Sequence, residues 1–225
     1  MEARNRLGAP LLVLALLGGT AAAFAYTEGL KQTTSPIGGT RVTNKVFSPA
    51  CRCPTSFTAV SFVLRRADHL TVSVEDASGR VVKVLLDDRP VRRGFRRFAW
   101  HGLLADGRRA PDGRYKLRID LSDADRVIQL PNPITVDTKP PTIAVVGRPE
   151  VGHRFVVVRY RVSEPARAML FVAGRRVLLT YRRPLDGTVR LERSRLTASG
   201  PLSIAAVDPA GNVSARRPLG VRVSP

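Results

Sequence analysis

Residues 70–86 read LTVSVEDASGRVVKVLL. Leu70, Val72 and Val74 alternate with polar residues, Asp76-Ala77-Ser78-Gly79 supplies turn chemistry, and Val82, Val84 and Leu86 alternate again. Period two sends successive side chains to opposite faces, so each half is a strand with one apolar face and the segment is a hairpin. The same pattern extends outward. Val60, Phe62 and Leu64 alternate upstream; downstream, Phe98 and Trp100 share one face, and Tyr115, Leu117, Ile119 and Leu121 share one face of a longer strand. Gly102, Asp106-Gly107 and Pro111-Asp112-Gly113 are turn signals between them. Beyond the N-terminal leader no stretch carries a helical period, and short strands separated by turns predict an all-β sandwich architecture.

A second β series begins at Thr142. Val156, Val158, Tyr160 and Val162 alternate with Val157, Arg159 and Arg161, giving one apolar and one basic face. Leu170 and Val172, Val177 to Tyr181, Val189 and Leu191, and Leu202, Ile204 and Ala206 supply later strands, and Asp208-Pro209-Ala210-Gly211-Asn212 is a turn before the last one. Asp137-Thr138-Lys139-Pro140-Pro141 marks the boundary, because two prolines block helix, weaken sheet pairing and stiffen a connection. Residues 27–44, short in apolar side chains and holding Ser35-Pro36 and Gly38-Gly39, read as a linker. The expected organisation is a leader over 1–26, a linker over 27–44, one β-sandwich over 45–137 and another over 138–225.

The stretch LTVSVEDASGRVVKVL, then Gly94, FAWHGLLADGRRAPDGRY and KLRIDL, resembles the FlgD-type (FlgD/Vpr) immunoglobulin-like domain. That family runs as a V-x-V strand, an Asp-x-x-Gly turn, V-V-x-x-L, a glycine, W-D-G-x-D-x-x-G and P-x-G-x-Y. Phe47-Ser48-Pro49 resembles the F-S-P that opens many such domains. The chain departs from the pattern at His101, where an aspartate is common, and at Ala50-Cys51-Arg52-Cys53-Pro54, where the family has an Asn/Asp/Gly-rich loop. The second series resembles bacterial Ig-like modules that follow a D-x-x-P-P linker and carry a D-x-A-G-N-x-S turn, here Asp208 to Ser214. Together the resemblances imply two tandem Ig-like β-sandwiches; with the leader, the expected fold is these two sandwiches after a single N-terminal transmembrane or signal helix. They imply no flagellar role, since one fold carries many functions.

The leader begins with Arg4 and Arg6 and continues as LGAPLLVLALLGGTAAAFAY, an uncharged run over 7–26. As a helix these 20 residues would extend about 30 Å, the thickness of a bilayer's hydrocarbon core. Arginines preceding the run place the N-terminus inside and the remainder outside. Ala23-Phe24-Ala25 is a small-x-small site for a signal peptidase, whereas apolar character extending to Tyr26 exceeds the usual h-region. Retention as a single-pass bacterial membrane anchor is the expectation, with secretion the alternative. The formal charge of +19 is almost all arginine, since among 37 basic residues only Lys31, Lys45, Lys83, Lys116 and Lys139 are lysines. Codons rich in G and C account for much of this bias without a ligand. Outside a membrane, nucleic acid is not the expected partner, and anionic wall polymer or lipid headgroups fit better.

Cys51 and Cys53 are the only cysteines. In an oxidising compartment they are a candidate disulfide pair; a bridge between molecules, free thiols and a metal are the other readings. Two thiolates alone do not fill a tetrahedral zinc site, and no metal ligand set or cofactor motif is legible. His69, His101 and His153 are scattered and read as surface residues, Asp120, Asp123 and Asp125 as turn chemistry, and Trp100 as core. The arginine pairs, such as Arg65-Arg66 and Arg92-Arg93, mostly flank turns. No nucleophile elbow or phosphate loop is present, and the best signature of an enzyme would be a pocket joining His101 to Asp106. The sequence therefore points to a membrane-tethered, extracytoplasmic, non-enzymatic module contacting a protein or cell-envelope partner. The alternative is an arginine-mediated binder of anionic envelope polymer or lipid.

Overall fold

The computed structural model describes residues 8–31, 35–196 and 198–224, with helix side chains described at 12–24. Helix α1 spans Gly8–Lys31, five residues beyond the expected end of the leader at Tyr26. Leu12, Val13, Leu14, Leu16 and Leu17 on it are all more than half exposed. Its hydroxyl at Thr20 is turned back onto the helix, donating to the carbonyls of Leu16 (3.0 Å) and Leu17 (2.9 Å). Among the described residues no helix is long and apolar enough to cross a membrane. Arg4 and Arg6, which set the expected orientation, lie outside the described residues.

The first core lies between two sheets. One has the order β1-β3-β6, from strands β1 (Ile37–Thr43), β3 (Thr58–Leu64) and β6 (Gly94–Trp100). The other has the order β2-β9-β7-β4-β5, from β2 (Val46–Phe47), β9 (Ile134–Val136), β7 (Gly113–Leu121), β4 (Asp68–Glu75) and β5 (Val81–Val91), with β8 (Arg126–Gln129) also paired to β7. All pairs are antiparallel except β2 with β9. Tyr115, Leu117, Ile119 and Leu121 all point inward, as their period requires. Trp100 is the centre. Its ring meets Phe47 at 5.5 Å and Tyr115 at 5.0 Å, both edge-on, and its Nε1 donates to the Leu103 carbonyl at 2.9 Å. An indole buried with its N–H satisfied is the favourable arrangement.

The expected linker is shorter than its composition implies. Residues 37–43 form β1, paired with β3, and Ile37 is buried in the first core. The glycines that suggested flexibility mark a bulge instead: the register shifts between Gly38 and Arg41, and Gly39 has φ +63°. A second bulge changes β5. Val82, Leu85 and Leu86 face the core while Val84 is exposed, because the register against β4 shifts between the Leu86 and Val84 pairings. Strict alternation of Val82, Val84 and Leu86 does not hold there.

The second core lies between a sheet of order β10-β11-β14, from β10 (Ile143–Val151), β11 (Phe155–Val162) and β14 (Asp186–Glu192), and one of order β13-β12-β15-β16. These last are β12 (Arg167–Val172), β13 (Arg175–Leu179), β15 (Gly200–Val207) and β16 (Arg217–Val223). Val156, Val158, Tyr160 and Val162 are buried, and Arg159 and Arg161 face out. Residues 137–142 join the two cores without regular structure.

Candidate functional site

Of the cysteines, histidines and aspartates singled out by sequence, those of the first sandwich fall toward its two opposite ends, and His153 lies in the second. Strand β7 sets the scale, since nine residues at ~3.3 Å rise extend about 26 Å between first and last Cα atoms. At its Gly113 end, Val136 pairs alongside and the chain leaves for the second core. At its Leu121 end lie the loops after β3 and β7, next to Ser35 and Pro36.

The Gly113 end is a joint. Cys51 and Cys53 are bonded to each other, with Cα atoms 5.3 Å apart. The loop they close lies on the turn between β15 and β16. Both sulfurs approach the Ala210 carbonyl oxygen, at 3.8 and 3.9 Å, and Thr55 Oγ1 donates to that oxygen at 2.6 Å. Ala210 is wholly buried beneath them. Gly211 follows with φ +95°, and a Cβ there would fall against Cys53 Sγ and within 2.5 Å of Thr55 Oγ1. Only glycine satisfies both the backbone angle and the close approach. From the second sandwich, Asn212 Nδ2 donates to the Asp137 carbonyl at 2.9 Å and to Asp208 Oδ2 at 2.8 Å. Asp208 Oδ1 takes the backbone N–H groups of Gly211 and Asn212, so the turn is tied internally as well as across the joint.

Three acids meet at this joint. Carboxylate oxygens of Asp137, Glu164 and Asp208 lie within 4.8 Å of one another; Asp208 is buried and the other two half-buried. Burial first, and then the charges of Asp137 and Asp208, push the Glu164 carboxyl up from its ordinary value. Hard oxygen ligands in this array are of the type that takes calcium, although three carboxylates supply only part of a six- to eight-oxygen shell. No sequence motif marks these three acids as metal ligands. Asp137 was legible only as linker and Asp208 only as turn, and no local spacing connects them to Glu164.

The other candidates are dispersed. His69 Nδ1 lies 3.1 Å from Asp123 Oδ1, His101 stacks on Phe57 with ring centroids 5.3 Å apart, and His153 borders a shallow cleft with Phe155 and Arg193. Asp106 binds Arg108, and Asp120 binds Arg118. Among the described residues no hydrogen bond or ion pair joins His101 to Asp106, the first stacking on Phe57 and the second binding Arg108. On the basic face of β11, Arg159 pairs with Glu150 and Arg161 with Asp186, while the Arg190 guanidinium lies 3.5 Å from the centroid of Phe155.

Residues 56–125 match the family model of the FlgD Ig-like domain. That stretch is thus similar to the FlgD Ig-like domain. The match begins after the disulfide loop and ends before β8, yet β1, β2 and β9 contribute Ile37, Phe47, Ile134 and Val136 to the same core. The chain is also similar to solved Ig-like and fibronectin-like modules. The Clostridium thermocellum CbhA fibronectin(III)-like modules are 15% identical, with 82% of this chain and 93% of that one covered and a TM-score of 0.45. The human OSCAR ligand-binding domain is 14% identical, with 82% and 96% covered and a TM-score of 0.42. No curated protein matches the chain.

Proposed function

We propose that the chain is a membrane-tethered, extracytoplasmic, non-enzymatic Ig-like module that makes protein or cell-envelope contacts. The observation carrying this reading is the surface of α1. A helix that is uncharged all round over residues 12–24 and exposes there a broad face of large apolar side chains finds its stable environment in a protein core or a bilayer, and Leu12 to Leu17 meet no core among the described residues. Thr20, bonded twice to its own helix, has the satisfied hydroxyl that hydrocarbon demands. The side chains described, 12–24, cover about 20 Å at 1.5 Å per residue. The uncharged run of 7–26 supplies the remaining length.

Outside the bilayer, contact surfaces are available on both sandwiches. Val63 and Phe95 pair in register on the outer face of β3 and β6, 44% and 63% exposed, with β6 at the sheet edge. Tyr181 is 93% exposed in the loop before β14. Apolar groups at edges and loops are where such folds take partners. The arginine face of β11, with its charges already paired, is a weaker candidate for anionic polymer.

The test is fractionation of cells producing the full chain, with alkaline extraction and protease added outside the plasma membrane. The expected result is a chain that stays with membranes and is degraded from outside. Release of a product beginning at Tyr26 would replace the tether by secretion, and protection from external protease would overturn the topology.

A further inference from the structure

The end of the first sandwich opposite the joint gathers arginine pairs from separate loops, while at the joint end some arginines are paired with acids. At the joint end Arg80 pairs with Asp76 and Arg108 with Asp106. At the other end three loops come together, as the strand registers require: Leu64 pairs with Gly94, Asp68 with Val91 and Leu121 with Arg126. These loops carry Arg65 and Arg66, Arg92 and Arg93, and Arg126, all exposed. Among the described residues Arg65, Arg66, Arg92 and Arg93 have no carboxylate within ion-pair distance. The acids of this end are engaged or few. Asp68 is buried and accepts the Asp123 N–H, Asp123 accepts the His69 N–H and faces its Nδ1, Asp88 accepts the Ser122 hydroxyl, and Asp125 lies in the same loop as Asp123. The Arg96 guanidinium donates to the carbonyls of Arg92 and Arg93 and holds that turn in place.

Arg65, Arg66 and Arg126 line a cleft of about 800 Å³ together with Ser35, Pro36 and two acids, Asp68 and Asp123, so three guanidinium groups face two carboxylates there. The Arg65 N–H donates to the Pro36 carbonyl, so the chain entering from α1 is pinned to the cleft's rim. Only four residue steps separate Lys31 from Ser35, a reach of at most about 14 Å however the helix lies. If the end of α1 lies at a membrane interface, this end of the sandwich lies at headgroup depth. Guanidinium forks bind phosphate oxygens bidentately, and basic residues near an anionic leaflet attract it.

We propose that this arginine-bearing end docks on anionic phospholipid headgroups, with the cleft between Arg65, Arg66 and Arg126 taking a headgroup phosphate. The proposal rests on the tethered reading and deepens it: the first sandwich stands on the bilayer by one end and presents the joint and the second sandwich at the other.

The experiment is hydrogen exchange on the full chain in nanodiscs of phosphatidylcholine alone or mixed with phosphatidylglycerol. Amides of 64–68, 91–94 and 122–126 are expected to exchange about tenfold more slowly in the anionic discs, an effect lost at high salt. Arg65→Gln, Arg66→Gln and Arg126→Gln together should abolish the difference and leave the exchange of β7 unchanged, which reports an intact fold. Equal exchange in both lipids, or indifference to the triple variant, overturns the proposal. So does the same protection in zwitterionic discs given millimolar inorganic phosphate, which would make this an ion site rather than a lipid one. A chain that enters neither disc defeats the tether instead. Flotation with phosphatidylglycerol and with phosphatidylcholine vesicles then separates the surface from the tether: a preference for the anionic vesicles that is lost in the triple variant supports it, and no preference overturns it.

Discussion

The two sandwiches solve the same packing problem with different side chains. The first core is wedged open by aromatic residues, with Phe47, Phe62, Trp100 and Tyr115 among its buried members. The second is filled by Val, Leu, Ile and Ala, and Tyr160 is its one buried aromatic. Its sheets meet on Ala166, Ala168 and Ala206, and Tyr160 fits only because Gly187 opposite has no side chain, an added Cβ falling 2.5 Å from the Tyr160 Oη. The second sandwich also hides apolar groups on its outer face. Met169, Phe171 and Ala205 form a separate buried cluster, with Arg216 lying 4.0 Å over the Phe171 ring. A core hung on one large aromatic is sensitive to deletion, whereas a close-packed aliphatic core is sensitive to insertion.

Deletion should therefore have its largest effect in the first sandwich. Trp100→Ala removes the group on which Phe47 and Tyr115 converge and should cost about 3–5 kcal/mol. Hydrogen exchange is the suitable readout, because it can report accelerated opening in β3 and β7 while β11 and β12 retain their protection. Equal loss in both sandwiches would mean that the two cores unfold as one unit. The reciprocal insertion, Gly187→Ala, should cost about 1–3 kcal/mol and act on β11 and β14 first, since the methyl and the Tyr160 ring cannot both stay in place.

These contrasts also show which features a sequence carries on its face. Leu117, Ile119 and Leu121, or Val156, Val158 and Tyr160, announce their burial because period two maps directly onto a half-buried strand. Bulges break that mapping, which is why Val84 reads as core and is exposed, and why Gly38-Gly39 reads as linker and lies within β1. The FlgD-type pattern of residues 56–125 was legible because its turns recur at fixed intervals. The joint was not. The meeting of Asp137, Glu164 and Asp208 depends on how one sandwich sits on another, and the seat of Gly211 on the disulfide loop joins segments more than 150 residues apart. The arginine-bearing end was hidden for the same reason, as its pairs are separated along the chain and gathered only by strand register.

Loosening the joint should leave both cores nearly unaffected. Thr55→Ala removes the hydrogen bond to Ala210, worth about 0.5–1.5 kcal/mol. The expected result is roughly tenfold faster exchange at the Gly211 and Asn212 amides, with the protection of β7 and β12 unchanged. Cys51→Ser with Cys53→Ser should act on the same amides, because both sulfurs rest on that turn. Destabilisation of either core by these variants would make the loop part of a core and not a coupling between two.

The smallest effect concerns charge, and it has opposite signs at the two sandwiches. In the first, the Ser78 hydroxyl, followed by Arg80 and backbone donors, lowers the Asp76 carboxyl to about 2. Its contribution is present above the unfolded value and disappears as pH falls through about 2. Glu164 lies at the joint with its carboxyl raised, so the native state binds its proton more tightly than the unfolded chain does. Stability from this group therefore falls as pH rises through the carboxylate range. Glu164→Gln removes the repulsion with Asp137 and Asp208 and should raise stability at neutral pH in the presence of chelator by about 0.5 kcal/mol or less, the scale of a surface charge change. The difference between variant and parent should shrink as the pH is lowered and Glu164 takes up its proton. A difference that grows on acidification would mean that Glu164 is stabilised by a cationic group, and that the three acids do not repel one another in the native joint.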